Sequence, residues 1–293
     1  MPSNPHIEAL FRERYVDKRT GKRRKIPRLP RRREPRTLER KYLRDIVRML
    51  NIAHELVRQE LITRMPELEA EALQTFDSVR QDNWVDLFRD IFEETIRIRF
   101  GQIVPDTAVR ALSNRQAGEI DTFNENQINQ QFRKILGLDI VGSLTVDLSA
   151  TLDAFNESNV GLIKSIPEKY LDDVKEMTLR NFRAGNRFSE WSKDLEDRFG
   201  VSKSRAALIA RDQTNKLNGE LNQIRNQELG LDEYTWRTSM DERVRESHKV
   251  LEGRVFSYTD PEKQPPEGHP GQPIQCRCQA EPNVEAALDR LGV

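Results

Sequence analysis

Two of the four histidines and both cysteines fall within about thirty residues of one another, as His248, His269, Cys276 and Cys278. Two imidazoles and two thiolates are a donor set for a tetrahedral ion such as Zn2+. A small, loop-rich module gains much from such a staple. The same residues also allow plainer readings. Cys-x-Cys is tighter than the spacing usual in zinc knuckles, His248 falls on an expected helix where an oriented histidine needs no metal, and both cysteines are compatible with buried free thiols. Just upstream, Asp241, Arg245 and His248 stand at i, i+4 and i+7, which puts them on one face of a helix expected over 241–251. That cluster suits general acid–base work. It suits equally an ion-pair network that fixes the module, and this structural reading is preferred, since such networks shift proton affinities without catalysis. The chain has no Walker loop, dinucleotide-binding glycine fingerprint, Gly-x-Ser-x-Gly elbow or His-Glu-x-x-His helix. No catalytic residue is assigned, and the protein is expected not to be an enzyme.

The elements that must position these residues follow from the punctuation. Tyr234–Thr238 and Val255–Phe256 read as short strands, with the short helix between them and Gly253 as its turn. A Pro/Gly-rich stretch over 261–273 then leads to Cys276-Arg277-Cys278. Before Gly230 the chain is helical. A helix is expected from Leu38 to the neighbourhood of Pro66, a second apolar stripe runs from Trp84 to Phe100, and a polar helix rich in Asn and Gln covers 106–136. Residues 137–151 alternate weakly and are expected as a short strand or an extended crossing. Ser165-Ile-Pro167-Glu168 reads as a helix start, Ser189 as another, Gly200 as a stop, and 202–229 as a long helix on which Arg205, Arg211 and Asp212 could pin the module. The expected fold class is mainly α over the N-terminal and middle regions, with a small C-terminal α+β module of short strands, one long and one short helix and a His/Cys-rich loop. The domains expected are a basic arm, 1–40, extended or disordered; a helical docking region, 41–150; a helical segment, 151–230; and the α+β module, 231–293.

The 293 residues carry 48 Lys+Arg and 48 Asp+Glu. This neutrality hides a split. Residues 1–40 hold fourteen basic and five acidic residues, which leaves 34 basic and 43 acidic for the rest. The basic clusters Lys22, Arg23, Arg24, Lys25 and Arg31, Arg32, Arg33 suit a polyanion, either nucleic acid or an acidic partner. Aromatics are sparse there, so any nucleic-acid contact is expected at phosphates and without sequence preference. No apolar run approaches the ~20 residues of a membrane-spanning helix. The N-terminus lacks the apolar core of a secretion signal, and two cysteines make no disulfide framework. A reducing, cytosolic compartment is the expectation.

The string Trp236-Arg-Thr-Ser-Met-Asp241-Glu-Arg243-Val-Arg245-Glu-Ser-His248-Lys-Val-Leu251-Glu-Gly253-Arg-Val-Phe256, followed by Gly268-His269-Pro270 and Cys276-Arg277-Cys278, resembles the phage Mu F-like head morphogenesis family, the minor head proteins of tailed phages. Ser204 to Gln213, with Arg211, is similar to the helix that precedes it in the family. Two departures stand out: five residues, 271–275, separate Pro270 from Cys276 where many members have one, and Asp212-Gln213 replaces Thr-Glu. The resemblance implies a low-copy virion protein on the inner, portal-proximal side of the head, present in host cytoplasm during assembly. It implies the portal as partner, with scaffold, major capsid protein and packaged DNA as further partners, the DNA through the arm. It also implies a role in head morphogenesis and in DNA packaging or ejection. The competing readings are a metal-dependent enzyme or toxin-like effector using Asp241, Arg245, His248 and Cys276, and a non-specific DNA-binding protein.

Overall fold

The computed structural model describes residues 5–27, 29–75, 83–140 and 144–290. Among them the helices are α1 (Pro5–Tyr15), α2 (Arg36–Leu56), α3 (Met65–Thr75), α4 (Asn83–Arg89), α5 (Ile98–Ile103), α6 (Asp106–Leu136), α7 (Ser149–Arg183), α8 (Phe188–Glu228), α9 (Glu246–Lys249) and α10 (Val284–Arg290). The strands β1 (Glu233–Arg237), β2 (Val255–Ser257) and β3 (Gln279–Pro282) form one antiparallel sheet in the order β2-β1-β3. The expected class holds: a mainly α protein with a small α+β module at the C-terminal end. The chain divides into two compact units, one built from 1–39, 116–155 and 211–293, the other from 40–115 and 156–210.

The second unit is all helix. Tyr42, Ile46, Leu50 and Ala53 recur along α2 at three- and four-residue spacing and are fully buried. They share one core with Phe88, Ile91 and Phe92, with Ile163, Ile166, Tyr170 and Val174 of α7, and with Trp191, Leu195 and Ala206 of α8. Two buried polar pairs cross this core: Tyr42 Oη donates to Asn159 Oδ1 at 2.7 Å, and His54 Nδ1 lies 2.7 Å from Tyr170 Oη. Burial pushes the His54 imidazole below its usual range.

Two expected breaks are absent. Pro167 lies inside α7, and α8 runs unbroken through Gly200. An interior proline costs about 3 kcal/mol and a glycine about 1 kcal/mol in a helix. The buried residues that flank each position, Ile163, Ile166, Tyr170 and Leu171 around Pro167 and Leu195, Phe199 and Ala206 around Gly200, outweigh those local penalties.

The first unit holds the sheet. Its core has one cluster of Phe11 and Tyr15 from α1, Ile128, Phe132 and Ile135 from α6, and Val284 and Leu288 from α10. The expectation of an extended or disordered arm over 1–40 is therefore corrected at its start. Pro5–Tyr15 is a helix with an apolar face, and Tyr15 Oη donates to the Ile135 carbonyl at 2.7 Å. Beyond it, Val16 bridges to Arg23, and Asp17 Oδ1 accepts from the amides of Arg19 and Thr20. The strand considered for 137–151 is also corrected among the described residues, with 141–143 lying outside them. Thr145 and Val146 are instead held by the Glu228 carboxylate, which accepts from the Val146 amide at 2.9 Å.

Candidate metal centre

β1 is the central strand, and its alternation places Tyr234 and Trp236 on one face, both fully buried. Strand β3 pairs Ala280 with Trp236, and β2 pairs Phe256 with Tyr234. Trp236 is the floor of the site. The His248 ring stands edge-on to it, centroids 5.3 Å apart and planes at 75°. Gly253, at φ +77°, turns the chain between α9 and β2 and donates its amide to the Trp236 carbonyl at 2.9 Å. Phe256 packs on Trp236 from the other side at 5.9 Å.

Cys276 and Cys278 enter from the segment before β3. His248 Nδ1 lies 3.8 Å from Cys276 Sγ and 3.4 Å from Cys278 Sγ, and the three donor atoms all lie within 4.8 Å of one another. A tetrahedral ion with ordinary Zn–N and Zn–S bonds separates its nitrogen and sulfur ligands by about 3.5 Å, so the donor set fits such an ion. The other nitrogen, Nε2, faces Glu267 Oε2 at 3.2 Å, the outer carboxylate that commonly orients a metal-binding imidazole. The Trp236 indole N–H is buried without an oxygen or nitrogen acceptor, and it partly offsets the upward shift of the Cys278 thiol.

The proton affinities agree with a metal-ready site. The Cys276 thiol is pulled down to about 5, first by its hydrogen bond with Cys278 and then by His248. Cys278 is pushed up by the same hydrogen bond and by burial. His248 is pushed up by Cys276 first and also by Glu267. The shifts oppose one another within the pair, and an ion bound here would take the place of the shared protons.

Of the four ligands expected, three converge and one does not. His269 Nδ1 lies 2.8 Å from Tyr234 Oη, and its ring packs edge-on against Tyr258. Burial pushes its imidazole below the usual range. It anchors the 268–275 loop. Glu267 was not among the expected site residues; its only sequence signal is an acid inside a His/Cys-rich loop.

The helix expected over 241–251 shrinks to α9, four residues long. Met240 takes φ +58° and Arg245 is extended, so Asp241, Arg245 and His248 do not share a helical face. Asp241 instead grips Arg277 through both oxygens, with Nη2–Oδ1 at 2.6 Å, and Arg277 pulls the carboxylate below its usual range. Arg245 donates to the Ile274 carbonyl, and Arg243 stays exposed. Asp241 and Arg245 therefore supply no acid–base partner to His248. Their role is to hold the loop that carries the cysteines.

That loop seats on the part of α8 within the same unit. Asp212 Oδ1 accepts from the Gln275 amide at 2.7 Å, and Arg211 reaches both Glu39 and Gln275. Arg205 lies in the other unit and donates to Ser165. Pro270 and Gly271 press against Gly219, where a Cβ would stand 2.6 Å from the Pro270 carbonyl oxygen. Sequence reading missed Gly219.

The basic residues of the arm separate into two kinds. Lys22, Arg23, Arg24 and Lys25 are exposed, with Arg23 pairing to Asp289 at 2.8 Å. Arg31 and Arg33 are exposed too, but Arg32 is buried, which corrects its assignment as a contact. Its guanidinium donates to Gln131 at 2.7 Å, to Asn226 at 2.9 Å and to Asn222.

Residues 172–281 match the family described as Phage Mu protein F like protein. An uncharacterized protein of Haemophilus influenzae strain Rd is 34% identical over 160 residues, which cover 54% of this chain and 35% of that protein. The chain thus spans about a third of the length of the curated relative it matches. No solved structure matches.

Proposed function

We propose, from the premise that residues 172–281 are a Phage Mu F-like segment, that the protein is a minor head component of a tailed bacteriophage. It acts in head morphogenesis, on the inner side of the head beside the portal, and takes part in DNA packaging or ejection. The observation that carries this reading is the family match, which covers the sheet, the His/Cys cluster and the helix beneath them. The protein is structural and carries no catalysis. Portal, scaffold and major capsid protein are its partner class.

The test is co-expression of the full chain with the portal protein of the same genome. The protein is expected to co-purify with portal assemblies and to be found inside purified heads at low copy. A chain that stays free of the portal and absent from heads would sink the reading.

In this reading a divalent ion of the zinc class staples the C-terminal module through His248, Cys276 and Cys278, leaving one position for a water or another exogenous ligand. Three protein ligands with a fourth position open are also the pattern of a catalytic site, the specific observation that favours a metal-dependent enzyme. Burial argues for the staple: His248, Cys276 and Cys278 are 3%, 4% and 8% exposed, so a substrate has little access. Purified protein should bind one equivalent of Zn2+, and chelation should lower the melting temperature. Cys278→Ser should abolish binding, and His269→Ala should keep the stoichiometry at one. Binding that survives Cys278→Ser, or that His269→Ala abolishes while the melting temperature holds, would refute this ligand set.

A further inference from the structure

A cavity of about 350 Å3 opens beside the cysteine segment in the first unit. Arg31, Arg33 and Arg36 line it from the arm with Glu34, and Arg237 and Arg277 line it from β1 and the approach to β3 with Glu281. Its size is at the low end for small-molecule sites. Its only aliphatic lining residue is Ala280, and no aromatic ring faces it. We propose that this cavity binds a phosphate group.

Arginine forks converging from several directions match the tetrahedral array of phosphate oxygens better than the two oxygens of a carboxylate. The charge balance leaves room for such a guest. Arg36 is paired with Glu34 at 2.8 Å, Arg237 with Glu281 at 2.9 Å, and Arg277 with Asp241. Among the described residues Arg31 pairs only with Glu252, at 3.7 Å, which Arg237 also uses at 3.5 Å. Among the described residues Arg33 has no carboxylate partner. The paired carboxylates hold Arg237 and Arg277 in place, and buried Arg32 pins the stretch that carries Arg31 and Arg33. The donors are therefore ordered before the ligand arrives, which lowers the cost of binding. With no ring to stack on, the site reads phosphate and not base. Two sources share this chemistry, the backbone of a nucleic acid and a free phosphate compound. The site is independent of the head reading above.

The test uses the full chain, a fluorescently labelled duplex and single strand of random sequence, and inorganic pyrophosphate followed by calorimetry. Arg33→Ala and Arg36→Ala, both at exposed positions, should each weaken binding by about tenfold and flatten the salt dependence of duplex binding by about one unit of slope. The paired change Lys22→Ala with Lys25→Ala, which removes two arm charges outside the cavity, should weaken it by about twofold or less. Pyrophosphate should displace the duplex, and polyglutamate should not. Displacement of the duplex by pyrophosphate assigns the nucleic-acid source. Pyrophosphate binding that depends on Arg33, with no duplex binding, assigns the free one. Equal losses from cavity and arm variants, displacement by polyglutamate as effective as by pyrophosphate, or no binding of either probe at low salt would overturn the proposal.

Discussion

Arg32→Met should destabilise the first unit by roughly 2–4 kcal/mol, lowering the urea midpoint at unchanged slope. The reason is the set of acceptors left behind. Gln131 Oε1 and Asn226 Oδ1 take their bonds from this guanidinium, while Asn222 Oδ1 keeps a second donor, Asn124 Nδ2, at 2.7 Å. Each orphaned buried acceptor costs about 1–3 kcal/mol. Against this, burial already presses the guanidinium down to about 10, so removing the charge returns part of its desolvation cost. The loss of two acceptors' partners wins. Amide exchange over 124–131 should quicken with it. A stability within about 0.5 kcal/mol of wild type would mean that the amides re-pair among themselves and that the arm is not anchored here.

Gly219→Ala should destabilise the protein although alanine is the better helix former. In mid-helix the exchange is worth about 1 kcal/mol in alanine's favour. Here a Cβ would stand 2.6 Å from the Pro270 carbonyl oxygen and 3.2 Å from Gly271 Cα, both backbone atoms that cannot rotate away. Forcing them apart costs about 1–3 kcal/mol, so the clash outweighs the propensity. The 268–275 loop should lift, and metal affinity should fall with stability. Gly200→Ala on the same helix is the internal control. Nothing lies within 4 Å of its Cβ, so there the propensity gain of about 1 kcal/mol should appear alone. A Gly219→Ala protein as stable as Gly200→Ala would show that the loop does not bear on α8.

The site was partly legible in the sequence. Residue type and proximity drew attention to His248, Cys276 and Cys278 as a donor set, beside the plainer readings of an oriented histidine and buried thiols, and these three side chains do converge. His269 has the same type and the same neighbourhood, yet its ring goes to Tyr234, a choice made by a strand 35 positions away. Glu267 carried no distinguishing mark, and neither did Gly219, whose role exists only where the loop crosses the helix. In the fold, periodicity found the α2 core stripe, the polar stretch 106–136 was read as the helix that α6 is, and Tyr234–Thr238 and Val255–Phe256 were read as the strands β1 and β2. Strand β3 was missed because Gln-Ala-Glu-Pro has no β-branched or aromatic residue, and Pro282 is tolerated there only because β3 is a sheet edge. Pro167 and Gly200 were read as boundaries because local penalties are visible in a sequence and the tertiary burial that overrides them is not.

The interleaving of the two units along the chain sets an order of events during synthesis. The second unit can close once residue 210 has left the ribosome. The first cannot, since α1 shares a core with α10 and its last strand begins at Gln279. Chain entropy makes so distant a closure slow to find. Phe11 and Tyr15 can meet α6 once Leu136 is made, but their cluster closes only when Val284 and Leu288 of α10 arrive. The cavity and the cysteine cluster thereby form only after Glu281 has been made, which is later than the second unit can close.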